Sequence, residues 1–330
     1  MLRKAIAFDV MSMFHLYSVV ACFNSMDAGR LTIYLLRGLN GKYCCEKGDF
    51  EIGGKLVSVR YQEEFLLQKS KSLLFLNGLM FLLGRVIRVK SDPCYILHHT
   101  YFKPTCLKFF TASESFRLNP IGFEEGIGTY GDLKHYREVA KRENKSFPLL
   151  SLVLKKTLSL FLTRKFSVLG PEYNASDAID FKRAVGVVIN WQAHEDVRLE
   201  LEELECLGRK VVILFMSPYM DMYGVSEDSF IRAINRIMAS YKDYEVVVKP
   251  HPLEYKSLEV YEKMGLKYIR SNISGEALIY LMQPYKTIGF YSGSLLVSRN
   301  VFDIGFEVFG GGSDDYGPVL PSPSILKLFG

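Results

Sequence analysis

The sequence predicts an α/β protein built as two halves in series, and three observations carry that prediction. Short apolar runs of strand length alternate with longer stretches of helical period; the alternation breaks over residues 145–180 and then restarts; and polar motifs stand where apolar runs end. In parallel α/β sheets the loops beyond the strand carboxyl ends are where ligands bind. Two such halves imply a cleft between them, lined from both sides by strand-end loops.

The elements follow in chain order. Met1-Leu2-Arg3-Lys4 is basic, but the apolar run behind it is short and is interrupted by Asp9 and His15, so Ala5–Val10 reads as a first strand and not as a secretion signal. Phe14–Asn24 and Phe65–Leu74 have helical period, and Arg30–Leu36, Ser91–Leu97 and Arg117–Phe123 read as strands. Beyond the changeover the strand candidates are Val185–Asn190, Lys210–Met216, Glu245–Val248, Lys267–Ile269 and Thr287–Phe290, with helices over Ser229–Ser240 and Gly275–Met282. The expected domains are residues 1–165 and 166–330.

With 330 residues, of which 48% are hydrophobic, the chain is long enough to bury two ordinary cores, which excludes a disordered protein. A net charge of +5 from 41 basic and 36 acidic side chains is too balanced for nucleic-acid binding by charge alone. It leaves room for an acidic small molecule or an anionic membrane face. The six cysteines show neither a CxxC pair nor metal-ligand spacing, which suits a reducing compartment. Residues 147–165 are apolar and basic; Lys155-Lys156 interrupts a run that would need about 20 apolar residues to span a bilayer. That segment reads either as a buried helix with linker or as an interfacial segment laying leucines and phenylalanines on an anionic leaflet.

Three motifs carry chemistry. Phe123-Glu124-Glu125-Gly126 ends a strand with two carboxylates and a glycine that permits a bend, so that one carboxylate can act as a general base toward a sugar hydroxyl. An exposed acidic turn is the commoner role of such a triplet. Lys249-Pro250-His251-Pro252 ends the strand Val246-Val247-Val248 with a cation and an imidazole suited to a departing phosphate. Gly289-Phe290-Tyr291-Ser292-Gly293-Ser294 leads from strand into helix and lets backbone amides and hydroxyls approach phosphate oxygens, unless it is a plain capping turn. Glu276, in the first turn of a helix, can accept from a ribose diol or merely complement the helix dipole. Ser217-Pro218, after the strand Val211–Phe215, is placed to line a base pocket. Gly126-Ile127-Gly128-Thr129-Tyr130-Gly131 satisfies GxGxxG and precedes the helical pattern Asp132–Arg142, but it arrives too late in the chain for a first dinucleotide turn, and its two glutamates would repel a pyrophosphate. No HExxH or DxD sequence suggests a metal site.

Taken in order, the acidic pair with glycine, the His251-Pro252 pair and the Ser292-Gly293-Ser294 turn resemble the three signatures of bacterial sialyltransferases, in particular glycosyltransferase family fifty-two, which includes lipooligosaccharide and capsule sialyltransferases. Ser12-Met13-Phe14-His15-Leu16 and the stretch from Ser274-Gly275-Glu276-Ala277-Leu278 to Tyr291-Ser292 are similar to further blocks of that family. The chain departs from the pattern at Gly293, where a second serine or threonine is usual.

The resemblance implies a GT-B-type α/β fold, two Rossmann-like domains facing each other across a cleft, the second binding the nucleotide. It implies an inverting, metal-independent transfer of sialic acid from CMP-sialic acid to a terminal sugar, galactose in the first instance, of a lipooligosaccharide or capsule glycan. Glu124 or Glu125 would be the base and His251 would assist loss of CMP. Ser217, Lys249, Pro252, Glu276, Ser292, Gly293 and Ser294 would bind the donor nucleotide. No cofactor, metal or nucleic acid is expected. The partners are the nucleotide sugar and an oligosaccharide or glycolipid acceptor, with a homodimer left open. The expected location is the bacterial cytoplasm, on the inner membrane face where residues 147–165 touch it. Alternatives are transfer of another sugar such as glucose, transfer of a polyol phosphate from a CDP-activated donor with histidine as base, or a non-enzymatic glycan-binding protein.

Overall fold

The computed structural model describes residues 3–38, 41–63, 94–99, 118–124, 126, 130–131, 137, 164–170, 173–191, 195–204, 210–222, 224–309 and 323–330. They group into two compact units, one from Met1–Thr129, Ala140–Ser167 and Ile179–Val187, the other from Tyr130–Val139, Val168–Ala178 and Val188–Gly330.

The first unit holds a seven-stranded sheet in the order β3-β4-β2-β1-β5-β6-β7. Its strands are β1 (Lys4–Val10), β2 (Arg30–Leu35), β3 (Gly48–Ile52), β4 (Lys55–Tyr61), β5 (Cys94–His99), β6 (Leu118–Phe123) and β7 (Arg164–Phe166). All neighbours run parallel except β3 and β4, an antiparallel hairpin closed between Ile52 and Lys55 by Gly53-Gly54. Helix α1 (Met13–Asn24) follows β1 and buries a continuous run from His15 to Phe23. The core is carried by Ala5, Ala7, Phe8, Val10, Leu31, Ile33, Leu35, Val57 and Val59, all nearly inaccessible. Strand β1 shows the near-continuous burial of a central parallel strand, whereas β2 alternates buried with half-buried residues.

The second unit holds a four-stranded parallel sheet, β11-β10-β8-β9, made of β8 (Val211–Phe215), β9 (Glu245–Lys249), β10 (Lys286–Gly289) and β11 (Gly305–Val308). Around it come α3 (Glu195–Glu203), the single-turn α4 (Tyr219–Met222), α5 (Glu227–Ser240), α6 (Lys256–Lys263), α7 (Gly275–Met282), α8 (Gly293–Phe302) and the short α9 (Pro323–Leu326). Helix α5 shows how sequence fixes such an element. Ser226 caps it by accepting from the Ser229 amide, Glu227 and Asp228 suit its positive end, and Phe230, Ala233, Ile234 and Ile237 repeat at helical spacing into the core. That core also contains Val212, Leu214, Val246, Val248, Tyr261 and Ile288.

Several expectations need correction. Val185–Asn190 belongs to α2 (Ala175–Trp191), a helix with residues in both units. Its β-branched run suggested a strand, but Ala178, Phe181, Ala184, Val185, Val188 and Ile189 are all buried, a spacing of three and four that only a helix brings onto one face. Lys267–Ile269 forms only a bridge from Tyr268 to Val248. Arg164 and Lys165, assigned to the interfacial segment, are strand residues of β7, and Arg164 donates to Ser25 Oγ at 2.9 Å. The helices expected at Phe65–Leu74 and, apart from Arg137, at Asp132–Arg142, and the remainder of 147–165, lie outside the described residues. Among the described residues no helix is long and apolar enough to cross a membrane. Cys22, Cys44, Cys45 and Cys94 are free thiols.

Candidate active site

In the first unit, β6 ends at Phe123, and the next residue, Glu124, is buried, with 2% of its surface accessible. The ladder pairs Phe123 with Phe166 of β7, so Glu124 and Ser167 each stand one position past paired residues. There the Ser167 hydroxyl donates to Glu124 Oε1 at 2.7 Å. Glu124 is thus a held carboxylate and not an exposed acidic turn. Glu125 lies outside the described residues; Gly126 has φ +135°, a backbone state that suits a glycine turning the chain. The ring of His15 packs 5.5 Å from that of Phe123, and its Nδ1 accepts from the Met11 amide at 3.4 Å. Ser12 caps α1 through the His15 amide, and His15 reaches back to the residue before that cap. Asp9, at the end of β1, adopts φ +53° and exchanges two hydrogen bonds with Gln62, at 3.1 and 3.0 Å. A buried non-glycine residue in that region is sustained only where its surroundings over-determine it.

In the second unit, register brings three strand ends level: Gly289 of β10 pairs with Phe215 of β8, and Phe215 with Lys249 of β9. Because the strands are parallel, Ser217, His251 and Ser292 all emerge from one edge of this sheet. The Met216 amide donates to the Lys249 carbonyl at 3.1 Å, carrying the ladder one step further. Lys249 itself is buried, and its Nζ donates to the Pro250 carbonyl at 3.4 Å. Burial pulls its ammonium down to about 8, against the opposing charges of Glu200, Glu254 and Glu276.

The His251 imidazole is partly buried, and burial together with the neighbouring Lys249 charge holds it down at about 4. It is therefore neutral near pH 7, and acts as a hydrogen-bond donor and not as a resident cation. Its Nδ1 accepts from the Leu253 amide at 3.2 Å, which leaves the ring proton on Nε2. Pro252 is exposed and Ser217 half-buried.

Helices α7 and α8 begin side by side. Ser274 caps α7 and Ser292 caps α8, the latter accepting from the Ser294 amide at 3.3 Å, so the capping role of this turn is realised. Ser294 Oγ donates to Glu276 Oε1 at 3.3 Å, and burial raises the Glu276 carboxyl above its ordinary range. Gly275 permits this approach: a Cβ there would stand 2.5 Å from Ser294 Oγ and 2.9 Å from a ring carbon of Phe215. Tyr291, just before the cap, has φ +40°, an uncommon state for a bulky residue.

Sequence reasoning missed Ser167, Glu254 and Glu200. Ser167 is visible only through the pairing of β6 with β7. Glu254 accepts from the His251 amide at 2.6 Å, and Glu200 accepts from the Arg270 and Ser271 amides of a distant loop. The signal for Glu254 was its spacing of three from His251 after a proline, a turn-forming pattern. Among the described residues no group of three or more His, Cys, Asp or Glu is arranged to hold a metal ion.

Two α/β units whose polar groups collect at strand carboxyl ends give a GT-B-type fold, and structural comparison agrees. An α/β-galactoside α-2,3-sialyltransferase from Photobacterium phosphoreum superposes with a TM-score of 0.50 at 10% identity, covering 99% of this chain and 95% of that one. UDP-N-acetylglucosamine 2-epimerases from Rickettsia bellii (TM-score 0.44, 11% identity, 93% and 78% coverage) and Neisseria meningitidis (0.44, 10%, 87% and 77%) are more distant. Residues 85–305, more than half of the chain, match the family described as alpha-2,8-polysialyltransferase (POLYST); the chain belongs to that family and is a glycosyltransferase of the sialyltransferase kind. The resemblance read from the motifs holds at that level, although family fifty-two is not the family matched. No curated protein matches the sequence.

Proposed function

We propose that this protein transfers sialic acid from CMP-sialic acid to a hydroxyl of a terminal sugar on a bacterial surface glycan, lipooligosaccharide or capsule, with inversion and without a metal ion. The family name favours sialic acid as acceptor and an α2,8 linkage over the galactose suggested by the motifs and their likeness to family fifty-two. In this reading Glu124, with Glu125 as the alternative, takes the acceptor proton. The acceptor oxygen bonds to the anomeric carbon, the bond from that carbon to the CMP phosphate oxygen breaks, and CMP departs. His251 donates its Nε2 proton as a hydrogen bond to that phosphate, while Lys249 lends charge. Glu276 meets the ribose, Ser217 and Pro252 the base, and Ser292, Gly293 and Ser294 the phosphate.

The observation that supports this best is the levelled edge of β10, β8 and β9, where the loops bearing Ser292, Ser217 and His251 leave one sheet together. Ligands of open parallel sheets bind beyond such edges. Contact of residues 147–163 with an anionic inner membrane face, a cytoplasmic location and a homodimer belong to the same proposal; binding to anionic liposomes and sedimentation test them.

The decisive experiment is metal-free calorimetry with CMP, CDP, UDP and NAD, followed by transfer from CMP-sialic acid to a sialylated and a galactose-terminated acceptor in the presence of a chelator. Selective CMP binding that is lost in Glu276→Ala, with chelator-resistant transfer, is the expected result. A preference for UDP, CDP or NAD overturns the donor, and loss of transfer on chelation overturns the metal-free mechanism.

A further inference from the structure

Around His251 the chain closes a ring on itself. The Glu254 amide donates to the His251 carbonyl at 2.9 Å, and the His251 amide donates back to Glu254 Oε2 at 2.6 Å. Within that turn Leu253 donates to the imidazole Nδ1 at 3.2 Å. The other oxygen of Glu254 accepts from the Tyr261 hydroxyl of α6 at 3.1 Å, which ties the turn to a residue with no accessible surface. Asp221 of α4 fixes the next two residues, accepting from the Tyr255 and Lys256 amides at 3.2 and 3.3 Å. Glu254 is itself 3% exposed. A carboxylate is seldom buried to brace an ordinary loop, because removing it from water costs several kcal/mol.

We propose that Glu254 is the positioning residue of the transfer site: by gripping the His251 amide and the Tyr261 hydroxyl, it holds the turn in which Nδ1 is an acceptor and Nε2–H points outward as the donor to the leaving phosphate. This rests on the reading of His251 given above. Without Glu254 the His251 amide loses its acceptor, the turn relaxes, and the imidazole is free to exchange tautomers, presenting an acceptor to the phosphate for part of the time.

The groups facing Glu254 are Asp221 from α4, Tyr261 and Ser257 from α6, and Lys249 and His251 at the end of β9. Burial, aided by the Asp221 charge, raises the carboxyl to about 7, against the hydrogen bonds from the His251 amide and the Tyr261 hydroxyl. The ionised form accepts at both oxygens, so the hold on His251 strengthens as pH rises through neutrality.

The test compares E254A, E254Q and H251A in the full chain. E254A is expected to lose kcat by roughly 10²-fold, within the range typical of a misplaced acid–base group, with little change in donor KM. E254Q, whose amide oxygen still accepts from the His251 amide, is expected to keep turnover within about threefold and to lose the ascending limb of kcat near pH 7. Side-chain ¹⁵N shifts of His251 provide a readout without turnover: a protonated Nε2 in the wild type and E254Q, a tautomer mixture in E254A. Wild-type turnover in E254A, or a single tautomer there, overturns the proposal. Wild-type turnover in H251A overturns the reading of His251 itself, and the ¹⁵N shifts tell that failure apart, because they report the clamp whether or not His251 serves the reaction.

Discussion

The Ser167 hydroxyl and the Glu124 carboxylate meet at 2.7 Å because β6 and β7 run parallel and in register up to the pair Phe123 and Phe166. The carboxylate is thereby aimed by backbone pairing and not by a flexible turn. If Glu124 is the base, Glu124→Gln removes the proton acceptor and should lower transfer by about 10²–10⁴-fold. Ser167→Ala removes the aiming bond and should cost about ten- to a hundredfold, since a hydrogen bond to a charged group contributes roughly 1.5–3 kcal/mol. Initial rates at saturating donor check both. Equal activity of Glu124→Gln and the wild type would shift the base to Glu125.

The neutral state of His251 has a direct consequence. Its Cε1 proton resonance should titrate near 4 and not near 6.5, because burial and Lys249 both disfavour the imidazolium. In Lys249→Met one of those two causes is gone, and the midpoint should rise toward 6.5. An unshifted midpoint in the variant would mean that burial alone sets it. Titration of His251 itself should accordingly cause no loss of transfer between pH 6 and 8, the limb near pH 7 belonging to Glu254, while His251→Ala should still fall by about 10²–10⁴-fold.

Gly275 lets the starts of α7 and α8 approach. A Cβ at this position meets Ser294 Oγ at 2.5 Å and Phe215 at 2.9 Å, and a buried aromatic ring gives way less easily than a flexible tip. Gly275→Ala should destabilise the second unit by about 1–3 kcal/mol, the usual cost of overpacking, and should weaken CMP binding by displacing Glu276. Thermal unfolding with and without CMP separates the two effects.

The legible part of this protein was the part that local chemistry determines. Strands β8 and β9 of the second unit announced themselves as apolar runs whereas β11 was not read, and Ser226, Ser274 and Ser292 cap helices as their residue types suggest. The strand-end positions of Glu124, Lys249 and His251 followed from the same runs. What stayed hidden lacked such runs or took its meaning from a partner that the fold supplies. The Gly48–Ile52 and Lys55–Tyr61 hairpin lacks a long apolar run, although Asp49 and Glu51 alternate with Phe50 and Ile52 in the period of a half-buried strand, and β7 is three residues long. Helix α2 passed for a strand at Val185–Asn190 because β-branched content was weighed above the spacing of its apolar residues. Ser167 is an ordinary residue by sequence that only a ladder brings to Glu124, and Glu254 carried no signal beyond its spacing from His251.

Lys249 gives the most stringent test, because its burial has a calculable sign. Its pKa is about 8 in the folded chain against 10.5 when free, so the folded state binds a proton less readily than the unfolded state. The associated stability is therefore fully present above pH 10.5 and is lost as pH falls through about 8, the charged ammonium being costly to keep buried. A shift of that size corresponds to about 3 kcal/mol. Lys249→Met lacks this dependence. Urea unfolding at pH 7, 8.5 and 10 should show the wild type losing stability relative to Lys249→Met as pH is lowered, with most of the divergence between pH 10 and 8. The variant should at the same time bind CMP more weakly, since the cation at the end of β9 is gone. Parallel pH curves for the two proteins would mean that Lys249 is hydrated in solution, and would remove it from the donor site.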